Sequence, residues 1–538
     1  MIGVVSKTHE TEVITEFFEL FKTPWEFYDP AHKYDVIIAA GTAPPETDAT
    51  LILIYSSEKL PCDDCGILKP NSSDTNTLAL WGNIKFPIYG KSIAFKNHYG
   101  GNLLSNNSGQ VLGYEKKNGH QRILRFGYDL FEEVYFLLTK GQPPEYALFP
   151  TLDYQIDILR SLITESGIRL LEIPPSPAGY KFIACMTHDI DFIRIRDHKF
   201  DHTMWGFLYR ATVGTLIDVL RSKRNWKDLY LNWKAVATLP LVHLGLSPDF
   251  WFKFERYAEL EKNVNARSTF FFIPFKNRVG NKVGGANAKR RASKYDVLDI
   301  QEVVRNLLNS GFDVGVHGID AWHDILSACE EKKRITDVSK KTDVGIRMHW
   351  LYFNENTFRM LDEAGFSYDS TFGYNDTVGF RAGTLQAFKP ISVKQIHELP
   401  LHIQDTALFN PKHMSLTKAD AWQLCEYLIK KAASHGGALT VLWHDRSLSP
   451  ERLYEDFYIK LLHEIKSQQA WFATAQDAVD WFRMRRSAEF LPNGDVKFSY
   501  QPEKGSNLPK LILRTYNTAS PAADNDSATP APFTDTSI

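Results

Sequence analysis

Phe182-Ile-Ala-Cys-Met-Thr-His-Asp-Ile-Asp191 is the stretch on which the fold reading turns. Its first half is a short apolar run, which fits a strand buried on both faces of a sheet. Its second half places polar side chains where that strand ends. Runs of the same kind recur at Ser268–Ile273, Phe312–Val316, Gly345–His349 and Ala438–Trp443. Helical stretches separate them, such as Ile300–Asn309 before Gly311 and Lys418–Ser434 before Gly436 and Gly437. Glycine just past a helix supplies the left-handed stop. Alternating strands and helices predict a parallel sheet, open or closed.

Nearer the N-terminus, Tyr34–Ala40, Thr50–Tyr55, Leu78–Trp81 and Lys91–Phe95 read as strands of a separate α/β layer. Phe126–Lys140 and Pro150–Ser166 read as helices, and Pro174, Pro175 and Pro177 punctuate the chain after them. Residues 196–262 interrupt the strand–helix rhythm with a Trp- and Leu-rich, mostly helical insert. Past Arg486, Asn493-Gly494 offers a hairpin turn. The expected organisation is an N-terminal α/β domain of unknown role over 1–150, and a linker helix with a Pro-rich connector over 151–179. A main α/β domain over 180–486 carries the 196–262 insert. A small β appendage over 487–516 and a disordered tail over 517–538, rich in Ala, Pro, Ser, Thr and Asp, complete the chain.

The chain of 538 residues is 43% hydrophobic and 23% charged with net charge −2. Those values exclude a wholly disordered or fibrous chain and argue against a generally basic nucleic-acid binder. Five cysteines are too few for a disulfide framework, and Cys62-x-x-Cys65 lacks the second pair of a zinc ribbon. It reads as a surface loop with two reduced thiols. Charged residues interrupt the N-terminus where a secretory signal would be apolar. No stretch reaches the roughly 18 apolar residues of a membrane span. The expected location is cytoplasmic, with peripheral contact at the inner face of a membrane through 196–262.

Chemistry in parallel β/α folds collects at the C-terminal ends of strands. Asp189, Asp191, His317, Arg347, His349 and His444 all fall there. One such group would be a helix cap; several separate ones point to a shared site. Asp189 and Asp191, two apart on extended chain, point to one side. His323 follows His317 by six residues, a step that separates the two rings on a continuous helix. His349 shares strand parity with Arg347. Two imidazoles and a carboxylate make an open divalent-metal site. His444, followed directly by Asp445, suits a general acid or base whose tautomer a neighbouring carboxylate fixes. There is no G-x-S-x-G elbow and no phosphate loop.

Together these residues resemble the motifs of the polysaccharide deacetylases, the NodB-homology group of carbohydrate esterases. Thr187-His-Asp-Ile-Asp191 resembles the first motif in its D-x-D variant, Val316-His317-Gly-Ile-Asp the metal-His motif, Gly345-Ile-Arg-Met-His-Trp350 the Arg motif, and Leu442-Trp-His-Asp445 the final one. Tyr368–Gly373 and Gly379-Phe-Arg-Ala-Gly383 resemble a subgroup with an added N-terminal domain. The resemblance implies a distorted (β/α)7 barrel over 180–486 and a divalent metal, usually Zn2+. It implies Asp189 as general base, Asp191 and His317 as metal ligands, Arg347 as support for Asp189, and His444 as acid. The family's second metal histidine falls on Ala321 here, so His349, or else His323, completes the site. Arg290, Arg291, Arg381 and Trp443 are candidate substrate contacts.

The implied function is metal-dependent removal of the N-acetyl group from an amino sugar of a polysaccharide or its precursor. The alternatives are hydrolysis of a small or nucleotide- or lipid-linked amide on the same fold, and a non-catalytic scaffold of polysaccharide biosynthesis. Lys276 to Tyr295 holds seven cations and no acidic residue. Such a rim attracts an anionic carbohydrate substrate.

Overall fold

The computed structural model describes residues 1–63, 65–68, 77–96, 100–280, 291–491, 494–500, 507–517 and 532–538. The chain divides into two compact units. One joins Met1–Gly179, Phe380–Ser392 and Trp481–Ile538; the other joins Tyr180–Gly379 and Val393–Asp480. Two features of this division differ from the expected boundaries. The 151–179 segment belongs to the first unit, and Phe380–Ser392 and residues 481–486 leave the barrel's sequence range to join it.

In the second unit, strand Phe182–Ile190 is buried along its whole length because it is central. It pairs in parallel with Ser268–Phe272 on one side and Ala438–Leu442 on the other. From Ser268–Phe272 the sheet continues in parallel through Asp313–Gly318, Ile346–Met348, Tyr368–Asp369 and His397–Glu398. From Ala438–Leu442 it continues to Ile403–Gln404. The two outer strands are stretches of one segment. Leu399 N donates to the Asp369 carbonyl at 2.8 Å, and His402 N donates to the Thr440 carbonyl at 3.1 Å. Residues 397–404 therefore bond Tyr368–Asp369 with their first half and Ala438–Leu442 with their second. This closes the curled sheet into an irregular barrel.

Helices such as Gln301–Asn309, Ile325–Ser339, Lys418–His435 and Glu455–Ser467 alternate with these strands. Close packing of neighbouring strands explains one glycine of the His317 motif. A Cβ on Gly318 would lie 2.6 Å from Met348 Sδ. The insert is helical as its composition suggests, with a small core of its own around Phe207, Leu239, Val242 and Trp251.

The first unit is built on a mixed sheet. Strands Ile2–Val5, Trp25–Phe27, Val36–Ala40, Leu51–Tyr55 and Gln121–Phe126 are parallel, and an antiparallel meander extends the sheet. Phe126 ends a strand rather than opening a helix, which begins at Leu130 behind an Asp129 N-cap. Cys62 is exposed, but Cys65 is buried beside Tyr114, 3.8 Å from its hydroxyl, so the pair is not simply a surface loop. The tail departs from its expected disorder. Phe533–Ser537 forms an antiparallel strand on Ile512–Tyr516, fastened by Arg514 to Asp535 at 2.8 Å. Ile512–Tyr516 pairs in turn with Leu170–Glu172. Ala488–Phe490 and Val496–Phe498 form the hairpin of the appendage; Asn493 lies outside the described residues.

Candidate metal centre and its acid–base flanks

The second unit gathers the polar strand ends at one mouth of its barrel. Asp191 follows strand Phe182–Ile190, His317 sits in strand Asp313–Gly318, and His349 follows strand Ile346–Met348. One ligand atom from each lies within 4.8 Å of the others. His317 Nε2 and His349 Nε2 are both 3.3 Å from Asp191 Oδ1. His317 Nδ1 donates to the Arg347 carbonyl at 3.0 Å, which turns Nε2 toward Asp191. His317 Nε2 and Asp191 Oδ1 are buried with no hydrogen-bond partner. Leaving such atoms unsatisfied costs roughly 1–3 kcal/mol each.

Burial pushes the His349 imidazole down to about 3 despite Asp191 beside it, so it is neutral at neutral pH. Burial would raise the Asp191 carboxyl, but His349 and His317 hold it well below the usual range. A carboxylate and two imidazoles, with Asp191 Oδ1 and His317 Nε2 left unpaired between them, fit a divalent cation with further positions open.

Asp189 lies beside this group. Arg347 Nη1 donates to Asp189 Oδ1 at 3.1 Å, and Asp189 Oδ2 is 3.7 Å from His317 Nε2. Arg347 is itself fixed. It donates to Thr187 Oγ1 at 2.7 Å and to both the carbonyl and the hydroxyl of Ser370, and it lies over the Phe271 ring. A fully buried guanidinium with this many acceptors has one orientation, so Asp189 has one too.

His444 follows strand Ala438–Leu442. The carboxylate that sets its tautomer is Asp405 and not the adjacent Asp445. Asp405 Oδ1 accepts from His444 Nδ1 at 2.5 Å, and Asp405 Oδ2 accepts from His444 N at 3.1 Å. Asp405 also accepts from Ser447 Oγ, and Arg452 stands 3.6 Å away. Burial lowers the His444 pKa, but Asp405 outweighs it, with Asp191 and Asp189 adding, and the imidazolium is held up to about 9. Asp445 turns elsewhere: its Oδ2 accepts from Phe192 N at 2.8 Å. Burial and the nearby Asp191 push its carboxyl up to about 7.

Asp405 escaped the sequence reading. Its strand, Ile403–Gln404, is two residues long and follows Pro400, so no apolar run announces it. The available signal was a lone acid ending the short stretch Leu401-His-Ile-Gln-Asp405.

Other candidates go elsewhere. His323 is outside the cluster, its Nε2 3.3 Å from Asp320 Oδ1 on the loop after His317. Trp443 is fully buried, packed parallel to Phe457 and Tyr458 at about 5.5 Å, and touches no open surface. Its side chain takes the face of the chain opposite to its neighbour His444. Arg291 is buried rather than solvated. Its Nη2 donates to the Ile319 carbonyl at 2.8 Å and reaches the His349 carbonyl at 3.5 Å, and its guanidinium covers Tyr352. It therefore braces the His349 backbone, where Trp350 and Leu351 both hold left-handed backbone (φ 63 and 50). Arg290 lies outside the described residues. Arg381 belongs to the first unit, where its carbonyl accepts from Gln142 N at 2.8 Å.

The chain is similar to solved polysaccharide deacetylases. A putative polysaccharide deacetylase from Mycobacterium smegmatis is 16% identical, with 62% of this chain and 100% of that one covered and a TM-score of 0.35. Agd3, described as a novel carbohydrate deacetylase, is 9% identical over 96% of this chain and 91% of its own, with a TM-score of 0.34. BA3943, a CE4 family pseudoenzyme from Bacillus anthracis, is 11% identical over 43% of this chain and 62% of its own, with a TM-score of 0.24. No family model matches the sequence, and no curated protein matches it. The chemistry has to be read from the residues themselves.

Proposed function

We propose that this chain is a metal-dependent amidase that removes the N-acetyl group from an amino sugar of a polysaccharide or its precursor. The observation that carries this reading is the convergence of Asp191, His317 and His349 beside an Asp189–Arg347 pair and a protonated His444. A divalent cation held by Asp191, His317 and His349, Zn2+ being the first candidate from this donor set, would polarise the amide carbonyl and make water easier to deprotonate.

The chain's own groups divide the proton work. Asp189, fixed by Arg347, takes the proton from the attacking water through its carboxylate. His444, charged because Asp405 holds its Nδ1–H, keeps Nε2–H to give to the departing amine, without which the C–N bond does not break. Arg347 leaves Asp189 one orientation. Base and acid thus sit on opposite electrostatic footings: a carboxylate beside an arginine and an imidazolium beside a carboxylate.

Three donors are assembled without one from position 321, because His349 supplies the missing imidazole. That favours the enzyme over the non-catalytic scaffold. The test is acetate release by the purified chain from N-acetylated glycans, glycolipid precursors and small amides. Activity should vanish with a chelator and return with added metal. Release from none of these classes by metal-loaded protein would leave the scaffold reading.

A further inference from the structure

The helical insert departs from ordinary burial in the opposite sense to the barrel mouth. Helix His202–Tyr209 runs through a π-helical turn, Arg210–Gly214, into Thr215–Leu220. Met204, Phe207, Ala211 and Val219 face inward, while Trp205, Tyr209, Val213 and Leu220 are exposed. At about 100° per residue the exposed set falls on one side. Helix Trp226–His243 repeats the pattern. Leu229, Asn232, Ala235, Leu239 and Val242 are buried; Trp226, Tyr230, Trp233 and Leu241 form an exposed stripe that Leu244 continues. Trp226 is 67% exposed and Trp233 50%. A helix apolar on both faces normally lies inside a protein or a bilayer. Here one face is bare.

Charge accompanies the apolar stripe. The connection between the two helices exposes Arg221 and Lys223, the first turn of the second helix exposes Lys227, and none of the three has an ion-pair partner among the described residues. Residues 196–246 carry eight Lys and Arg against four Asp, in a chain of net charge −2. No helix among the described residues is long and apolar enough to cross a membrane.

We propose that this face seats the protein on the surface of an anionic phospholipid bilayer. Trp and Tyr favour the boundary between headgroups and acyl chains, and basic residues beside an apolar stripe bind anionic lipid. A second copy on the same face would set these unpaired cations against each other. The seat is fastened to the barrel. Arg210 Nε donates to Glu451 at 2.7 Å, Glu451 N donates to Asn232 at 2.7 Å, and Arg446 lies over Phe192 and Trp251. Both Arg446 and Glu451 belong to the loop that follows His444, so a seated insert holds the barrel mouth at a fixed place beside the membrane. This seat does not depend on what chemistry the barrel mouth performs.

The test is co-sedimentation of the full chain with vesicles of phosphatidylcholine alone or mixed with phosphatidylglycerol. The wild type should partition onto the mixed vesicles and much less onto the neutral ones. Lys223→Glu with Lys227→Glu should weaken partition at least about tenfold, since each basic residue near an anionic surface contributes roughly fivefold. Trp226→Ser with Trp233→Ser should weaken it comparably, with unchanged thermal midpoints showing that both variants fold. Wild-type protein that ignores mixed vesicles, or that binds both vesicles equally, overturns the proposal. So does concentration-dependent self-association that both variants abolish in the absence of any vesicle binding, which assigns the face to a second copy.

Discussion

Within one unit, the barrel mouth and the helical insert break the ordinary rule of burial in opposite directions. The mouth buries Asp189, His317, Arg347 and Asp405 almost completely, while the insert leaves Leu220, Leu244 and Leu246 more than 70% exposed. Buried polar groups and exposed apolar patches are the informative exceptions to the general pattern. The mouth compensates its exceptions internally. Arg347 answers Asp189, Asp405 answers His444, and the atoms left over point at one another. Among the described residues the insert has no such internal answer.

The sharpest way to break this contrast is at Asp189. Asp189→Asn keeps the shape and the Arg347 neighbour but removes the base. Deacetylation should fall by roughly 10²–10⁴-fold, while metal content, measured by emission spectrometry, stays at the wild-type level. Retained activity would remove Asp189 from the chemistry and leave the mouth a structural network.

Next in size is the choice of the third donor. His349→Ala should lower metal affinity by more than the roughly 10–100-fold that a supporting residue costs. His323→Ala should change it little, because His323 turns to Asp320. Competitive titration against a chromophoric chelator separates the two. Equal affinities in wild type and His349→Ala would show that the cluster is not the metal site.

A smaller, more diagnostic effect concerns pH. His444 is held up to about 9, mainly by Asp405 against the opposing effect of burial. Between the ordinary imidazole value near 6.5 and that raised value the ring stays mostly protonated, so if its protonated form is the active one the activity it supports persists through neutral pH. It is lost as pH rises through about 9. The same raised pKa makes His444 a stabilising group at low pH whose contribution fades over that window. Asp405→Asn should move the alkaline limb of kcat toward the ordinary imidazole value without changing metal content. An alkaline limb that stays in place would show that another group titrates there.

What was legible in the sequence follows from the same contrast. Asp189, Asp191, His317, Arg347, His349 and His444 stood out because each ends an apolar run, and a parallel sheet carries all such ends to one side. Asp405 did not stand out, because residues 397–404 close the barrel by bonding first to one neighbour and then to another, which leaves no long run to end. Trp443 is a candidate substrate contact on the sequence, although alternation along extended chain sets it on the face opposite His444. Arg291 sits in a Gly-rich cationic run that reads as solvated. Packing on Tyr352 and the carbonyls of Ile319 and His349 make it internal. The tail's small polar residues gave no sign that Phe533–Ser537 would find an edge at Ile512–Tyr516.

The smallest expected effect tests the insert by what should not happen. Trp251 and Trp226 belong to the same helical insert and are chemically identical, yet Trp251 is 1% exposed within the local core and Trp226 is largely bare. Trp251→Ala should cost about 3–5 kcal/mol, since it empties a packed position and takes the ring from beneath Arg446. Trp226→Ser and Trp233→Ser should each change folding stability by no more than about 0.5 kcal/mol, as exposed positions generally do. Urea denaturation of the four proteins supplies the comparison, with equal slopes confirming that the unfolding unit is unchanged. If the exposed pair proved as costly as Trp251, those rings would be packed within the chain in solution. The apolar face would then be internal, and nothing outside the protein would be needed to cover it.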